Sequence, residues 1–241
     1  MSDQAQGDDW LHLLPGAPQS DRAVIAFAGV QTRLGGIDLK EFSNSLAGGR
    51  QKQRHIAFVR ESPARWYNTI DLSALAAFAA AQRERHIVTL GNSMGGFAAI
   101  LFSLILPGVR GSISFCPQFS VHPDEVPFER RWNEYVSAVA EWRYRTCLPV
   151  AWNHPKGVSH TLFCGSGVPS DIRHAELIVQ SARNSAAAFI LEGCGHDVAR
   201  HLKSRDLLLP LLDLLIEGTG TVAAVAGLLQ SQGIRFRQVG P

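Results

Sequence analysis

A three-layer α/β/α sandwich built on a mostly parallel sheet is the fold class that this 241-residue sequence predicts. Three observations predict it. Short apolar runs recur without polar alternation, as in strands covered on both faces of a parallel sheet. Helix-like stretches separate these runs, and strand–helix alternation of this kind is the signature of a parallel layer architecture. The length suits one sizeable core and does not require a second domain.

The strands are expected at "AVIAFAGV" (23–30), "HIAFVR" (55–60), "HIVTLG" (86–91), "GSISFC" (111–116), "HTLFCG" (160–165) and "AAFILEG" (187–193). The first intervening helix is "DLSALAAFAAAQRER" (71–85), alanine-rich and opening on Asp71, a good N-cap residue. The next, "MGGFAAILFSLIL" (94–106), stops at Pro107. "SDIRHAELIVQSAR" (170–183) and "VARHLKSRDLLLPLLDLLIEG" (198–218) complete the set, the latter reading as one buried amphipathic stretch interrupted by Pro210. Residues 1–20 are short for leading antiparallel strands, so a trimmed sheet is expected. The C-terminal "TGTVAAVAGLLQSQGIRFRQVGP" reads as a final helix followed by a loose basic tail.

One interval breaks the alternation. Residues 117–159 are too long for an ordinary connection, and a structureless loop of that length is uncommon. With Trp132, Trp142 and Trp152, the interval is expected to hold one or two helices and to act as a cap. The alternative is an elongated crossover helix whose tryptophans pack on the sheet.

Composition excludes several function classes. A net charge of +2 demands neither nucleic acid nor an anionic membrane as partner. The local basic groups "RQKQRH" (50–55) and "ERR" (129–131) read as solvated surface. No apolar run approaches the roughly 20 residues of a membrane span, and the acidic N-terminus lacks the pattern of a secretory signal. Cys116, Cys147, Cys164 and Cys194 follow no paired spacing, which fits reduced core thiols and a cytoplasmic setting. Neither H-E-x-x-H, clustered Cys/His, G-x-G-x-x-G nor Walker spacing occurs, so neither a metal nor a cofactor is expected.

The chemistry concentrates at "GNSMG" (91–95). A serine hydroxyl is a weak nucleophile unless a base takes its proton. The G-x-S-x-G pattern, between a buried strand and a helix, presents such a serine on a strained turn whose flanking positions must be small. Ser93 is therefore the candidate nucleophile. A base is expected after the last strand, where "FILEGCGHDVARHL" places His196 between glycines; His201, further into a helix, suits packing better. An acid is expected after the preceding strand, where Asp171 qualifies, although "PSDIRHAE" also reads as a helix start that Asp171 would cap. Asp124 and Glu125 are the fallback acids. Asp197 adjoins His196 too closely to face it.

These three ordered sites, over roughly residues 21–215, resemble the α/β-hydrolase superfamily of serine hydrolases. The resemblance implies that family's fold, with a helical insert after its sixth strand, here residues 117–159. It implies the triad Ser93, Asp171 and His196, and an oxyanion hole from the backbone N–H groups of Met94 and Val30, with Gln31 as the other candidate. The family often carries His-Gly before that loop, whereas this chain has Ala28-Gly29. Gln31, Arg33, Trp66 and Trp132 are expected on the substrate side, Arg33 either to meet an anionic group or to stand as a solvated loop arginine, and the tryptophans to shape an aromatic pocket. The implied activity is cleavage of a small-molecule carboxylic ester or thioester through an acyl-enzyme. Acyl transfer on the same site is the alternative, as is an idle site in a binding protein.

Overall fold

The computed structural model describes residues 11–30, 33–34, 37–38, 42–46, 54–82, 85–149 and 157–241; at 33–34, 37–38 and 44 it describes the backbone alone. Among the described residues eight strands form one sheet. Its six central members are β5 (His55–Val59), β2 (Arg22–Phe27), β6 (His86–Asn92), β7 (Val109–Phe115), β8 (Ser159–Gly165) and β9 (Ala186–Leu191), in that spatial order and mutually parallel. Antiparallel strands close both edges, β1 (Leu11–Leu14) on β5 and β10 (Phe236–Val239) on β9. A separate two-residue hairpin pairs β3 (Arg33–Leu34) with β4 (Ile37–Asp38).

The central strands are buried nearly throughout, as their unbroken apolar runs require; all six residues of β9 are buried. Helices flank the sheet: α1 (Ser43–Leu46), α2 (Ser73–Ala81), α3 (Met94–Ile105), α5 (Pro169–Ser181), α6 (Val198–Lys203), α7 (Leu208–Ile216) and α8 (Val222–Ser231). Helix α3 packs on β2, β6 and β7, and α5 packs on β8 and β9. Helix α3 is the most buried of the described helices, with Met94 through Ser103 all inside, as its sequence of glycine and apolar residues implies. It ends where Leu106 turns extended ahead of Pro107, as the residue before a proline prefers.

Four expectations need correction. The N-terminal stretch does supply an antiparallel edge strand, β1. The C-terminal tail is not loose: after helix α8, "FRQV" pairs with β9 from Leu191↔Phe236 to Ala188↔Val239. The 198–218 stretch is two helices, because Pro210 fits only in a first turn, where its missing N–H has no partner to lose. Within the two basic groups some described residues are not plain surface, while residues 50–53 lie outside the described residues. Arg54 is buried and pairs with Asp213 and Glu217, and Glu129 is buried as well.

The interval after β7 differs from expectation in its content. Among its described residues the only helix is α4 (Asn133–Val136), a single turn, and no long crossover helix is present. Tertiary bonds hold the rest in place. The Tyr144 N–H donates to Asn68 Oδ1 (2.7 Å), the Cys147 N–H to the Phe119 carbonyl (2.9 Å), and the Ser120 hydroxyl to the Arg145 carbonyl. Prolines 117, 123 and 127 break up the first part of the segment.

The parallel connections leave the C-terminal strand ends open at one edge of the sheet. Chain order reverses between β2 and β6, since β5 lies on one side of β2 and β6 on the other. In open α/β sheets ligands bind outside the strand ends at such a switch point. On the strands beside it, Phe115, Phe163 and Phe189 share one register across β7, β8 and β9 and stack at 5.3 and 5.5 Å. Rigid rings at these positions fix the strand ends from which the site residues project.

Candidate active site

Ser93 occupies the turn between β6 and α3 with φ 54° and ψ −120°, a conformation that non-glycine residues rarely adopt. Its N–H donates to the Phe115 carbonyl at the end of β7 (2.8 Å), which holds the turn against the sheet. The glycines on either side are required by close approach. A Cβ on Gly91 would lie 2.1 Å from the Gly95 carbonyl oxygen, and one on Gly95 would lie 2.2 Å from that of Phe27. Any side chain at either position forces the turn open, so "GNSMG" is a packing solution as much as a motif.

The loop after β9 carries His196. Gly193, at φ 76°, permits the reversal. At Gly165, the last residue of β8, a Cβ would sit 2.2 Å from the Gly195 carbonyl, so the loops after β8 and β9 can touch only without a side chain there. Asp171 lies in the first turn of α5, whose cap position is Val168, and its side chain is buried. It therefore does not cap its own helix and is free to face the loop.

The structure brings these three residues together. His196 Nδ1 stands 2.7 Å from Asp171 Oδ2, and His196 Nε2 stands 3.0 Å from Ser93 Oγ. A carboxylate only accepts, so Nδ1 carries the proton and Nε2 receives the serine O–H. The fallback acids lie elsewhere: Asp124 and Glu125 pair with Arg145, and His122 shares that cluster. His201 stays within α6.

Four further polar residues surround the three, and sequence reasoning missed them all. Gln118 is fully buried, and its Nε2 donates to the Cys116 carbonyl (3.1 Å) and to Ser93 Oγ (3.3 Å). The carbonyl accepts only, which fixes the amide's orientation. Arg131 Nη2 donates to Asp171 Oδ1 (2.8 Å), the carboxylate oxygen that His196 leaves unused. The same guanidinium grips Glu129, its Nε lying 3.0 and 3.1 Å from the two carboxylate oxygens. His174, fully buried, accepts from the Phe119 N–H at Nδ1 and so donates from Nε2 to Glu129 (3.0 Å). No local signal marks these residues, because the partners that tie them to the site, Ser93 for Gln118, Asp171 for Arg131 and His174 for Glu129, lie tens of residues away in other elements.

Burial pushes the Glu129 carboxyl upward, but hydrogen bonds from His174 and Arg131, together with the Arg131 charge, outweigh it and hold the group at about 2. The sign follows from linkage: a carboxyl lowered from 4.5 to about 2 contributes stability that is complete above about pH 4.5 and is lost as pH falls toward 2. Urea midpoints of the wild type and Glu129→Gln, measured from pH 6 to pH 2, are expected to converge across that window. A constant difference would remove the assignment.

Cys116 lies beside the three, and ligand atoms of Cys116, Asp171 and His196 fall within 4.8 Å of one another. The donor set fits a metal poorly. Burial, reinforced by the Asp171 charge, raises the Cys116 thiol well above its ordinary range and keeps it protonated, and both Asp171 oxygens already accept hydrogen bonds.

The remaining expected site residues divide. Met94 opens α3, so its N–H is among the first-turn donors without an intrahelical acceptor. Val30 lies three residues past β2 and is half-buried. Gln31 lies outside the described residues, as does Trp152, and of Arg33 only the backbone is described. Trp66 is fully buried within the 61–69 loop, whose anchor is Glu61, accepting from the N–H groups of Arg65, Tyr67 and Thr69. Trp66 and Tyr67 both take positive φ there. The Trp66 ring meets Trp132 at 5.8 Å, and Trp132 meets the His196 imidazole at 5.8 Å. Tyr135 joins the pair. Trp142 instead packs on His122.

Solved structures with the same architecture are α/β-hydrolase-fold proteins. The capsule O-acetyltransferase of Neisseria meningitidis serogroup A superposes with TM-score 0.60 at 12% identity, covering 83% of this chain and 90% of that one. An esterase from Pyrobaculum calidifontis gives 0.56 at 14% identity, covering 88% and 82%. MenH from S. aureus gives 0.55 at 9% identity, covering 93% and 99%. This chain has the α/β-hydrolase fold. No protein-family model and no curated protein matches its sequence. Among the described residues no helix is long and apolar enough to cross a membrane.

Proposed function

We propose that the protein is a serine hydrolase that cleaves a small carboxylic ester or thioester through an acyl-enzyme on Ser93. The observation that carries this reading is the hydrogen-bonded chain from Ser93 Oγ through His196 to Asp171 at the switch point of the sheet. As the Ser93 oxygen attacks the acyl carbonyl, His196 Nε2 takes its proton, and Asp171 stabilises the resulting imidazolium and holds the ring. The N–H groups of Met94 and Val30 meet the oxyanion of the tetrahedral intermediate. His196 then returns the proton to the departing alcohol or thiol. Water, deprotonated by His196 in turn, attacks the acyl-enzyme and releases the acid and the serine.

Gln118 supports the first step by donating to Ser93 Oγ, which directs the serine's own hydrogen toward His196. The chain is one catalytic domain in this reading, with residues 117–159 as its cap. Trp132 and Tyr135 wall the acyl or leaving-group side, with Trp66 packed behind them, and Gln31 and Arg33 are the loop residues expected to meet the substrate. The indole N–H groups of Trp66 and Trp132 are buried and have no hydrogen-bond partner among the described residues. A protein with the same fold is an O-acetyltransferase, so an alcohol in place of water is the second outcome on the same acyl-enzyme.

The test is covalent labelling with a fluorophosphonate followed by peptide mapping. Stoichiometric modification of Ser93 is expected, and a folded, unlabelled protein would overturn the reading. Turnover of a panel of acyl esters and thioesters, with and without added alcohols, then separates hydrolysis from transfer.

A further inference from the structure

We propose that Arg131, contributed by the segment after β7, sets the pH at which His196 becomes a base by dividing its positive charge between Asp171 and Glu129. The inference rests on the Ser93–His196–Asp171 reading and deepens it. Arg131 touches neither Ser93 nor His196 and acts through Asp171, so it is a positioning residue.

The geometry is specific. Asp171 offers one oxygen to His196 and the other to Arg131. Arg131 in turn is shared with Glu129, which it contacts through Nε, Nη2 and its own backbone N–H. Glu129 is held as an anion, with His174 as its remaining donor. Two buried carboxylates thus flank one guanidinium, and the half-exposed Arg131 side chain also lies over the Trp132 ring.

The consequence follows from charge placement. An opposite charge within about 4–6 Å favours the ionised form of a titrating group. A buried Asp171 with no cation beside it would favour the imidazolium form of His196, which cannot accept the serine proton. Arg131 cancels part of that field, and Glu129 limits how much it cancels. The other groups facing His196 do not replace this balance. From the end of β7 comes the Cys116 thiol, kept neutral by burial. From α5 come Asp171 and His174, the latter occupied by Glu129. On its own loop lie Cys194 and the exposed Asp197, and the segment after β7 adds Trp132, which is uncharged.

A purely structural role for Arg131, docking the segment onto α5, predicts no ordered shift. The charge-sharing role predicts shifts of opposite sign. In the full-length protein, the His196 imidazole is titrated by NMR of 13C-labelled histidine, assigned by loss of its signal in His196→Ala. The midpoint in Arg131→Met is expected about one pH unit above the wild type, that in Glu129→Gln below it, and that in Arg131→Lys close to it. The pH dependence of Ser93 labelling should move in the same order. Shifts of the same sign in Arg131→Met and Glu129→Gln, or none in either, overturn the proposal. If Arg131→Met does not fold, a downward shift in Glu129→Gln supports it and an upward or absent shift overturns it. If Ser93 is never labelled yet the midpoints separate as expected, the hydrolase reading fails while the charge-sharing stands.

Discussion

Replacing Ser93 with alanine is expected to lower kcat on any ester or thioester substrate by about a million-fold and to abolish fluorophosphonate labelling. The substitution removes only Oγ. The positive φ of the turn is as accessible to alanine as to serine, and the Ser93 N–H bond to the Phe115 carbonyl survives, so the thermal midpoint should change little. His196 Nε2 and Gln118 Nε2, which both point at Oγ, would then face a site without a nucleophile. The remaining rate should come from the oxyanion donors and from binding alone. Retained labelling in Ser93→Ala would place the nucleophile elsewhere, with Cys116 the neighbour to examine first.

Asp171→Asn is expected to lower kcat by about ten-thousand-fold with the fold intact. Here Arg131 sharpens the reasoning. Its guanidinium only donates, so the asparagine carbonyl must face Arg131 and the NH2 must face His196 Nδ1. Nδ1 then becomes an acceptor, the ring proton moves to Nε2, and that nitrogen can no longer take the serine proton. Steady-state kinetics with circular dichroism would check the prediction, and NMR of the ring nitrogens would report the exchanged tautomer directly. A loss below tenfold would mean that Asp171 is not the group that orients His196.

Much of this architecture was legible in the sequence, for physical reasons that can be named. Strands buried on both faces must be continuously apolar, so β2, β5, β6, β7, β8 and β9 stand out as runs. Ser93 and His196 were legible because each needs glycines beside it for close approach, and glycine is visible in a sequence. Asp171 was harder, since an acidic residue in a helix's first turn has an ordinary local explanation. Its actual partners, His196 and Arg131, lie 25 and 40 residues away.

Other features could not be read locally. No residue of the edge strand β10 is fully buried, so "FRQV" looks like a polar tail until β9 provides its hydrogen bonds. "ERR" at 129–131 looks like solvated charge, yet burial against α5 turns Glu129 and Arg131 into partners of His174 and Asp171. Gln118 carries no local signal at all. Its role depends on the Cys116 carbonyl fixing its amide and on Ser93 arriving from a different strand.

The sequence by itself determined the layer architecture, the order of the parallel strands' elements, and the serine, acid and histidine as candidates in chain order. Periodicity and glycine placement are local constraints, and local constraints are written in the chain. Only the tertiary structure decided which acid meets His196, what else meets that acid, and which aromatic rings lie beside the imidazole. Those are contacts between side chains distant in sequence, and a charge or a hydroxyl acquires its chemistry from the groups that folding places a few ångströms away.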